Sequence, residues 1–239
     1  MNSLLASLAA KIEGEVRASA VERAMYACDA SIYRVDPMGI AYPRNGGDVA
    51  IIMEWAQNNG VTLHGRGSGS GLTGACLGSG LVVDFRRFLT EIVEVLPDKK
   101  VVRVQPGVVH TDLNKSLERY GLFFPPDPAS GDYCSLGGMI ANNSSGARSV
   151  KYGATIDYVL ALETVVPALG PFQAKKIPKG PRATGSKLGE LLAGLDNILD
   201  KGMDKFRQHL PNAPKNCCGY RLERLLHDDG TMNMAALFT

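Results

Sequence analysis

Five glycines stand within residues 64–74, and this run constrains the fold more than any other feature of the sequence. Glycine loses more conformational freedom on folding than other residues, so such a run is costly unless a tight backbone path requires it. A backbone without Cβ atoms can turn successive N–H groups toward one point and form an anion-binding nest. Because the apolar segment 61–63 precedes it, the run predicts a strand followed by a loop that binds a pyrophosphate. We call residues 65–74 the glycine loop.

The glycine loop also contains the spacing of the dinucleotide fingerprint, G-x-G-x-x-G, from Gly69 to Gly74. That fingerprint works when its last glycine opens a helix whose N-terminus faces the phosphates. Here only residues 75–80 separate it from the next apolar strand, which is too short for a crossover helix. A nucleotide fold with a parallel strand-helix-strand unit is therefore disfavoured. A P-loop is excluded because no G-K-[ST] follows.

Length and composition are those of an ordinary globular chain. The 239 residues suffice for one large domain or two lobes, and 45% of them are hydrophobic and 21% charged. A net charge of +2 indicates neither a nucleic-acid surface nor an acidic partner. The longest apolar run is too short to span a bilayer. We expect a cytoplasmic protein without a transmembrane segment, which is compatible with peripheral attachment to a membrane.

The five cysteines, at positions 28, 76, 134, 217 and 218, form no C-x-x-C pair. Their odd number and their spacing favour reduced thiols over a disulfide framework, a zinc site or an iron–sulfur site. The adjacent Cys217 and Cys218 are interpreted as buried or half-buried thiols. We therefore predict no metal site in this chain.

The periodicity of the apolar residues predicts a chain with both helices and strands. Helices are expected over residues 1–28 with a break at Gly14, and over 48–59, 111–120, 188–199, 203–210 and 220–227, with Asp48 and Thr111 as N-caps. Strands are expected over residues 61–64, 81–85, 91–95, 101–105 and 158–166, the third and fourth as a hairpin, and residues 29–39 are expected to be extended. Residues 170–185, rich in Pro, Gly, Lys and Arg, predict a loop. These elements suggest an N-terminal helical segment (1–40), a first lobe (41–110) and a second lobe (111–239).

Residues 135–146, which we call the asparagine segment, form a second stretch dominated by small residues. Asn142 and Asn143 supply two side-chain amides that both donate and accept hydrogen bonds. A flavin ring offers a matching edge of carbonyls and ring nitrogens. A polar turn around a short helix would explain this segment about equally well if it stood alone. With the glycine loop in the same chain, a shared extended ligand is the better interpretation.

Residues 66–74 (RGSGSGLTG) and 136–146 (LGGMIANNSSG), joined by 104–108 (VQPGV) and 126–128 (PDP), resemble a known domain. It is the FAD-binding domain of the p-cresol methylhydroxylase and vanillyl-alcohol oxidase type. The resemblance covers about residues 20–166 and is strongest to the FAD-linked 2-hydroxy-acid dehydrogenases for glycolate, D-lactate and D-2-hydroxyglutarate. Residues 26–33 and 152–160 are similar to the long members that fuse a flavin part to an iron–sulfur part.

The resemblance implies an α+β fold, a two-lobed FAD-binding domain with its second lobe incomplete and FAD lying between the lobes. The first lobe would be a small α+β unit and the second an antiparallel sheet with helices. The glycine loop would hold the pyrophosphate through backbone N–H groups, and the asparagine segment would line the flavin. The implied cofactor-binding residues are Arg66, Gly67, Ser68, Gly69, Ser70, Gly71, Leu72, Thr73, Gly74, Pro126, Asp127, Gly137, Gly138, Asn142, Asn143, Ser144 and Gly146. Non-covalent FAD is expected, since Ser70 stands where relatives that tether the flavin through this loop have a histidine.

The resemblance further implies an oxidoreductase that oxidises a small 2-hydroxy acid. In the family a base removes the hydroxyl proton while the Cα hydride passes to flavin N5. The electron acceptor is not identified, although an iron–sulfur module of the longer members is one candidate. The alternatives are a flavoenzyme of the same fold with another substrate, such as an alcohol oxidase or a cell-wall precursor reductase, and a non-catalytic scaffold.

Members of this family carry the catalytic histidine and the carboxylate-binding arginines in a cap domain, which follows a strand with the motif G-S-E-G-T. This sequence ends at Thr239, where that strand would begin, so we expect the N-terminal part of a larger enzyme. Such a chain would have an unpaired sheet edge, bind FAD weakly, self-associate and turn over no 2-hydroxy acid. The catalytic residues stay unassigned. The histidines that match no catalytic position of the family are His64, His110, His209 and His227.

Overall fold

The computed structural model describes residues 3–167, 169–180, 185–210, 220–227 and 229–239. The helices in these ranges are α1 (Ser3–Ala9), α2 (Ala20–Tyr26), α3 (Gly46–Asn59), α4 (His110–Glu118), α5 (Leu136–Ala141), α6 (Ser149–Tyr152), α7 (Lys187–His209) and α8 (Met234–Leu237). The strands are β1 (Glu15–Arg17), β2 (Gly39–Tyr42), β3 (Leu63–Arg66), β4 (Leu81–Asp84), β5 (Ile92–Leu96), β6 (Val101–Val104), β7 (Ala161–Val166), β8 (Gly170–Pro178) and β9 (Thr231–Asn233). The α+β class is confirmed.

The first sheet has the strand order β1-β2-β4-β3. Strands β2 and β3 both run parallel to β4, whereas β1 is antiparallel to β2. All four residues of β2 and of β4 are buried, as expected for parallel strands covered on both faces. A core of apolar side chains from α1, α3 and the sheet lies on one face, where Trp55 Nε1 donates to Ser7 Oγ at 3.1 Å. The sheet therefore contains parallel pairs, although no helix follows the glycine loop. The sequence disfavoured only a parallel strand-helix-strand unit at that loop.

The buried carboxylate of Asp48 links the N-terminal segment to α3 through hydrogen bonds. Its Oδ1 accepts a hydrogen bond from Glu13 N, and its Oδ2 accepts from Gly14 N and Arg44 N, all at 2.9 Å. The N-cap of α3 is Asn45, whose side chain accepts from Asp48 N at 2.9 Å, so the assignment of Asp48 as the cap is wrong. The predicted end of this helix is confirmed, because Gly60 is its C-cap in the left-handed region with φ +62°.

The hairpin β5–β6 is confirmed as an antiparallel pair, joined by a single turn of 3-10 helix over Pro97–Lys99. It shares an apolar cluster with α4 and α5, whose buried members include Leu113, Leu117 and Met139. Helix α4 begins after Val109, so the expectation that Thr111 caps it is wrong.

A third sheet, of order β7-β8-β9, is covered by α7 and α8. Both pairings are antiparallel, and in the described part of the chain β7 and β9 are its edge strands. This sheet also contacts the first sheet's helix, since a Cβ at Gly46 of α3 would lie 2.9 Å from Glu163 Oε1 of β7. The two halves of the chain therefore meet at the N-terminus of α3.

Several predicted elements differ from the structure. Residues 15–17 are a strand within the segment predicted as helical, because β1 pairs with β2. Residues 170–178 are strand β8 and not a loop, and residues 181–184 of that prediction lie outside the described ranges. The two helices expected over 188–210 are one continuous helix, α7. The helix expected over 220–227 is reduced to a 3-10 turn over Leu222–Arg224. The domain boundaries near 40 and 110 stay predictions.

We predict that Asp48→Ala lowers the free energy of unfolding by about 3 kcal/mol, because three backbone N–H groups lose a charged acceptor in a partly buried setting. Urea denaturation followed by circular dichroism measures this change. Asp36→Ala is the matched control: its side chain is 61% exposed and pairs with Arg34 at the surface, so it should change stability by less than about 0.5 kcal/mol. A loss below about 1 kcal/mol in the Asp48 variant would contradict the role given to this carboxylate.

Candidate cofactor-binding site

Residues 67–74 of the glycine loop lie in the connection between β3 and its parallel neighbour β4, and Gly65 and Arg66 are the last two residues of β3. Residues 67–80, all described, contain no helix. This agrees with the expectation that residues 75–80 are too few for a crossover helix before β4. Gly69 and Gly74 have φ values of +67° and +73°, a region that L-residues rarely adopt. The glycines at these two positions therefore meet a backbone requirement.

Part of the glycine loop faces open space. A Cβ at Gly71 would meet no protein atom within 4 Å, and the side chain of Leu72 is 76% exposed. Ser70 is half-buried and Thr73 is exposed. A ligand can thus approach the backbone from this side without displacing a protein side chain.

The other face of the loop touches the start of the asparagine segment. Ser135 is the N-cap of α5, and its Oγ accepts from Gly138 N at 3.3 Å. A Cβ at Gly67 would collide with this same Oγ, and Ser68 Oγ donates to the carbonyl of Tyr133. Glycine at 67 is therefore required by the approach of the two segments. The structure brings together the two stretches that the sequence singled out.

Gly137 fixes the asparagine segment against residues 104–108. Its N–H donates to Pro106 O at 2.8 Å, and a Cβ at Gly137 would lie 2.7 Å from Pro106 Cβ. Leu136 N donates to Val108 O at 2.8 Å. These contacts explain why this position excludes larger residues before any ligand is considered.

The segment around Pro126 and Asp127 packs against the end of the asparagine segment. Pro126 is buried. The Asp127 carboxylate accepts from Arg148 N at 3.1 Å and pairs with Arg148 Nε at 3.2 Å. A Cβ at Gly146 would collide with the carbonyl oxygen of Asp127. Asp127 thus has an intramolecular role, and the prediction that it contacts FAD stays a prediction.

The two asparagines have different environments. Asn142 is exposed and ends α5, with its N–H donating to Gly138 O at 3.1 Å. Asn143 is 3% exposed, has φ +43°, and its Oδ1 accepts from Ile156 N at 3.0 Å. The carbonyl of Ser144 accepts from both Thr155 N (2.9 Å) and Thr155 Oγ1 (2.6 Å). Asn143 and Ser144 therefore hold the turn at 155–156, and their contact with the flavin is still a prediction.

The Arg66 side chain contacts both residues 26–28 and Gly69 of the glycine loop. Its Nη2 donates to Cys28 O at 2.8 Å, and its guanidinium lies 5.1 Å from the centre of the Tyr26 ring. A Cβ at Gly69 would lie 2.5 Å from the same Nη2. The resemblance noted residues 26–33 without giving them a role in the site. Their contact with the loop depends largely on main-chain atoms, which the sequence pattern does not reveal.

Titratable groups near Arg66 have shifted pKa values. Burial and the 2.6 Å hydrogen bond from its hydroxyl to Asp84 raise the pKa of Tyr26 above its ordinary range. Burial also raises the pKa of the Cys76 thiol, although the charge of Arg66 acts against this. Partial burial acts to raise the pKa of Asp29, but hydrogen bonds from Ser31 and Cys76 and the charge of Arg66 outweigh it and lower this pKa. At neutral pH a protonated Cys76 therefore donates to an ionised Asp29.

The described residues contain no group of three or more His, Cys, Asp or Glu side chains placed to hold a metal ion. Cys28, Cys76 and Cys134 are free thiols, while Cys217 and Cys218 lie outside the described ranges. Among the described helices, none is both long and apolar enough to cross a membrane.

The geometry is that of a backbone cradle at the carboxyl end of a parallel strand, opposite a second glycine-rich segment. A family model described as an FAD binding domain matches residues 37–172. The chain belongs to this FAD-binding family. FAD is therefore the cofactor of the domain, and the residues fit it: the open face at Gly71 admits a ligand, and the glycines at 67 and 137 let the main chain of both segments approach closely. The individual contacts to FAD stay predictions.

Known proteins agree with this assignment. The chain is 30% identical over 225 residues to the D-2-hydroxyglutarate dehydrogenase of Escherichia coli (strain K12), an alignment that covers 91% of this chain and 22% of that protein. It is 36% identical over 176 residues to the glycolate oxidase subunit GlcD of Bacillus subtilis (strain 168), covering 73% of this chain and 35% of the relative. The chain thus spans well under half the length of either relative.

The fold agrees with a solved structure as well. An alkyldihydroxyacetonephosphate synthase superposes with a TM-score of 0.65 at 22% identity, over 83% of this chain and 37% of that chain. At this identity the likeness concerns the fold alone. Together with the family match over residues 37–172, this likeness confirms the FAD-binding fold that the resemblance implied.

We predict that Gly69→Val weakens FAD binding about 10- to 100-fold without unfolding the protein. A β-branched residue at φ +67° costs on the order of 1 to 3 kcal/mol, and its side chain would also displace Arg66. Fluorescence titration with FAD measures the affinity, and circular dichroism checks the fold. Gly170→Val is the matched control, because Gly170 also has a positive φ (+80°) but lies in the β7–β8 turn with open space around it. Unchanged FAD affinity in a folded Gly69 variant would refute the placement of the pyrophosphate.

Proposed function

We propose that this chain is the FAD-holding part of an oxidoreductase that oxidises a small 2-hydroxy acid. Both curated relatives described above have names that refer to such compounds, D-2-hydroxyglutarate and glycolate. The observation that carries the proposal is the contact of the glycine loop with the start of α5, where Gly67 lies against Ser135. This contact brings the two glycine-rich segments together, as the binding of one long ligand by both would require.

In the proposed complex, backbone N–H groups of the glycine loop bind the pyrophosphate of FAD. Residues Gly137, Gly138 and Asn142 lie beside the flavin ring, where main-chain groups can approach it closely because the glycines carry no side chain. FAD supplies the hydride acceptor, and the protein supplies binding and orientation. In this proposal, the binding and the orientation of FAD by this chain depend more on main-chain geometry than on reactive side chains.

The four histidines do not supply an evident base. The His64 ring occupies the space that a Cβ of Gly78 would need, and His110 is buried with Nε2 3.2 Å from Asn114 Nδ2. His209 Nδ1 lies 2.7 Å from Lys205 O within the last turns of α7. His227 sits in the turn that leads to β9, its N–H donating to Thr231 O at 2.9 Å. We propose that the base and the groups that bind the substrate carboxylate come from a part of the enzyme other than these residues.

A chimaera tests the substrate class. This chain would replace the corresponding 225 residues of the Escherichia coli D-2-hydroxyglutarate dehydrogenase, and reduction of a dye would be followed with D-2-hydroxyglutarate, glycolate and D-lactate. We expect the chimaera to retain FAD and to reduce the dye with at least one of them. The isolated chain with FAD should give no reduction above a flavin-only blank, because hydride transfer also needs a positioned base.

A second chimaera carrying Gly69→Val separates loss of cofactor from loss of assembly. It should be folded and inactive, and its activity should return partly at high FAD concentration. A chimaera that retains FAD and oxidises none of the three acids would contradict the proposed substrate class. Turnover by the isolated chain would show that one of its own residues is the base.

We also predict that FAD is held without a covalent bond. Ser70 lies at the position where tethered relatives of this fold carry a histidine, and a hydroxyl provides no ring nitrogen for such a bond. Acid precipitation of the FAD-loaded protein should leave the yellow colour in the supernatant. Flavin that stays in the pellet after washing would contradict this prediction, and absorption spectra of both fractions measure the distribution.

A further inference from the structure

Residues 28–33, which we call the strap, lie across the glycine loop. The strap folds back on itself, with an antiparallel bridge between Cys28 and Arg34 at its base, so the expected extended conformation of 29–39 is wrong here. Val35 N donates to Ala27 O at 2.9 Å and closes the same base. Within the strap, Asp29 Oδ1 accepts from Ser31 N at 2.8 Å. The strap is thus shaped by its own hydrogen bonds.

Two contacts join the strap directly to glycines of the loop. Ala30 N donates to Gly69 O at 2.9 Å. The Tyr33 ring covers Gly74, where a Cβ would lie 2.9 Å from Tyr33 Cδ2. Gly69 and Gly74 are the two loop residues with positive φ, so the strap holds the loop at the positions where the chain turns most sharply.

The Arg66 side chain connects the strap with the glycine loop and the residues that follow it. Its Nη2 donates to Cys28 O, and its Nη1 lies 3.5 Å from Tyr26 O and 3.6 Å from Cys76 Sγ, which follows the loop. Cys76 in turn donates to Asp29 Oδ2 of the strap at 3.5 Å. The planar fork of an arginine can hold several acceptors in one arrangement, which a lysine cannot do.

We infer that the strap and Arg66 are a positioning device that holds the glycine loop in its anion-binding shape before FAD arrives. The inference rests on the proposed placement of the pyrophosphate at this loop. A glycine-rich loop without such support would sample many conformations, and the apparent affinity falls in proportion to the fraction that is competent to bind. Arg66 and Tyr33 are the positioning residues, and they act through the loop backbone.

A direct contact between Arg66 and FAD is the competing explanation, and it makes a different prediction. A residue that only touches the ligand does not alter the loop in the free protein. A positioning residue does, so hydrogen exchange of the loop amides without FAD distinguishes the two roles. Tyr33 provides an independent test, because it contacts the loop at Gly74 whereas Arg66 contacts it at Gly69. Tyr33 is also 55% exposed, so its replacement should disturb the core little.

The experiment uses Arg66→Met, Arg66→Lys, Tyr33→Ala and Tyr33→Phe in the 239-residue chain. Arg34→Met is the matched control, since Arg34 is an exposed arginine beside the strap that pairs with Asp36 at 3.0 Å. Amide exchange of residues 67–76 is measured by mass spectrometry in the FAD-free protein. Binding of FAD and of riboflavin, which lacks the pyrophosphate, is measured by fluorescence titration.

We expect Arg66→Met and Tyr33→Ala to speed exchange in residues 67–76 and to weaken FAD binding about tenfold, as when a tenth of the molecules hold the competent loop. Riboflavin affinity should not change. Tyr33→Phe keeps the ring over Gly74 and should restore wild-type values, whereas Arg66→Lys keeps the charge but not the fork and should not. Arg34→Met should match the wild type in both measurements.

Unchanged exchange in both Arg66→Met and Tyr33→Ala would overturn the inference, even if FAD affinity fell. A wrong placement of the pyrophosphate would give a different result, since the wild-type protein would then bind riboflavin as tightly as FAD. That result would overturn the inference as well. If Arg66→Met does not fold, Tyr33→Ala with its Phe rescue decides the question.

Discussion

The parallel pairing of β3 with β4 is the constraint on which the site depends. Parallel neighbours need a connection of about a dozen residues or more that carries the chain back to the same end of the sheet, and a helix usually provides it. Here residues 67–80 make that return without a helix. The connection must stay close to the sheet and still present its backbone at the carboxyl end of β3, where ligands bind in open sheets of this kind. Glycines at the sharp turns are the consequence.

The second half of the chain completes the site by packing against this connection. Gly67 touches the N-cap of α5, and Gly137 at the first turn of α5 touches Pro106. Neither contact tolerates a Cβ, so the distance between the segments is set by main-chain atoms. The absence of side chains at these positions lets the segments pack closely, while the open face at Gly71 leaves room for a ligand. A substitution that harms packing here would for that reason also harm binding.

The two segments that meet at the candidate site could be singled out from the sequence because their signal is local, a dense run of glycines and a pair of adjacent asparagines. The parallel sheet could not, because a short buried strand such as Leu81–Asp84 shows the same apolar run whichever direction its partner takes. Strand β8 was missed because its Pro, Gly and Lys residues are typical of a loop. Its pairing with β7 and with the distant strand β9 makes the segment a strand. Helix α7 continues through Gly202 because Leu199 and Met203 are packed in the core on either side of it. The strap was missed because many of its contacts with the loop are made by main-chain atoms. A carbonyl oxygen such as Cys28 O is present in every residue type, so the sequence gives no sign of it.

The same spacing of glycines can serve two different anion sites, and the difference lies in the source of positive potential. In the dinucleotide fold the last glycine opens a helix, whose N-terminus carries about half an elementary charge toward the phosphates. Here no helix follows Gly74, so that source is missing from this loop. The Arg66 guanidinium lies instead next to Gly69, and its charge is offset in part by the carbonyl dipoles of Cys28 and Tyr26 and by the nearby ionised Asp29. If the pyrophosphate binds on the opposite side of the loop, Arg66 takes the electrostatic place of the helix N-terminus while its hydrogen bonds keep the loop in shape. One residue would then account for both the shape of the cradle and its preference for an anion.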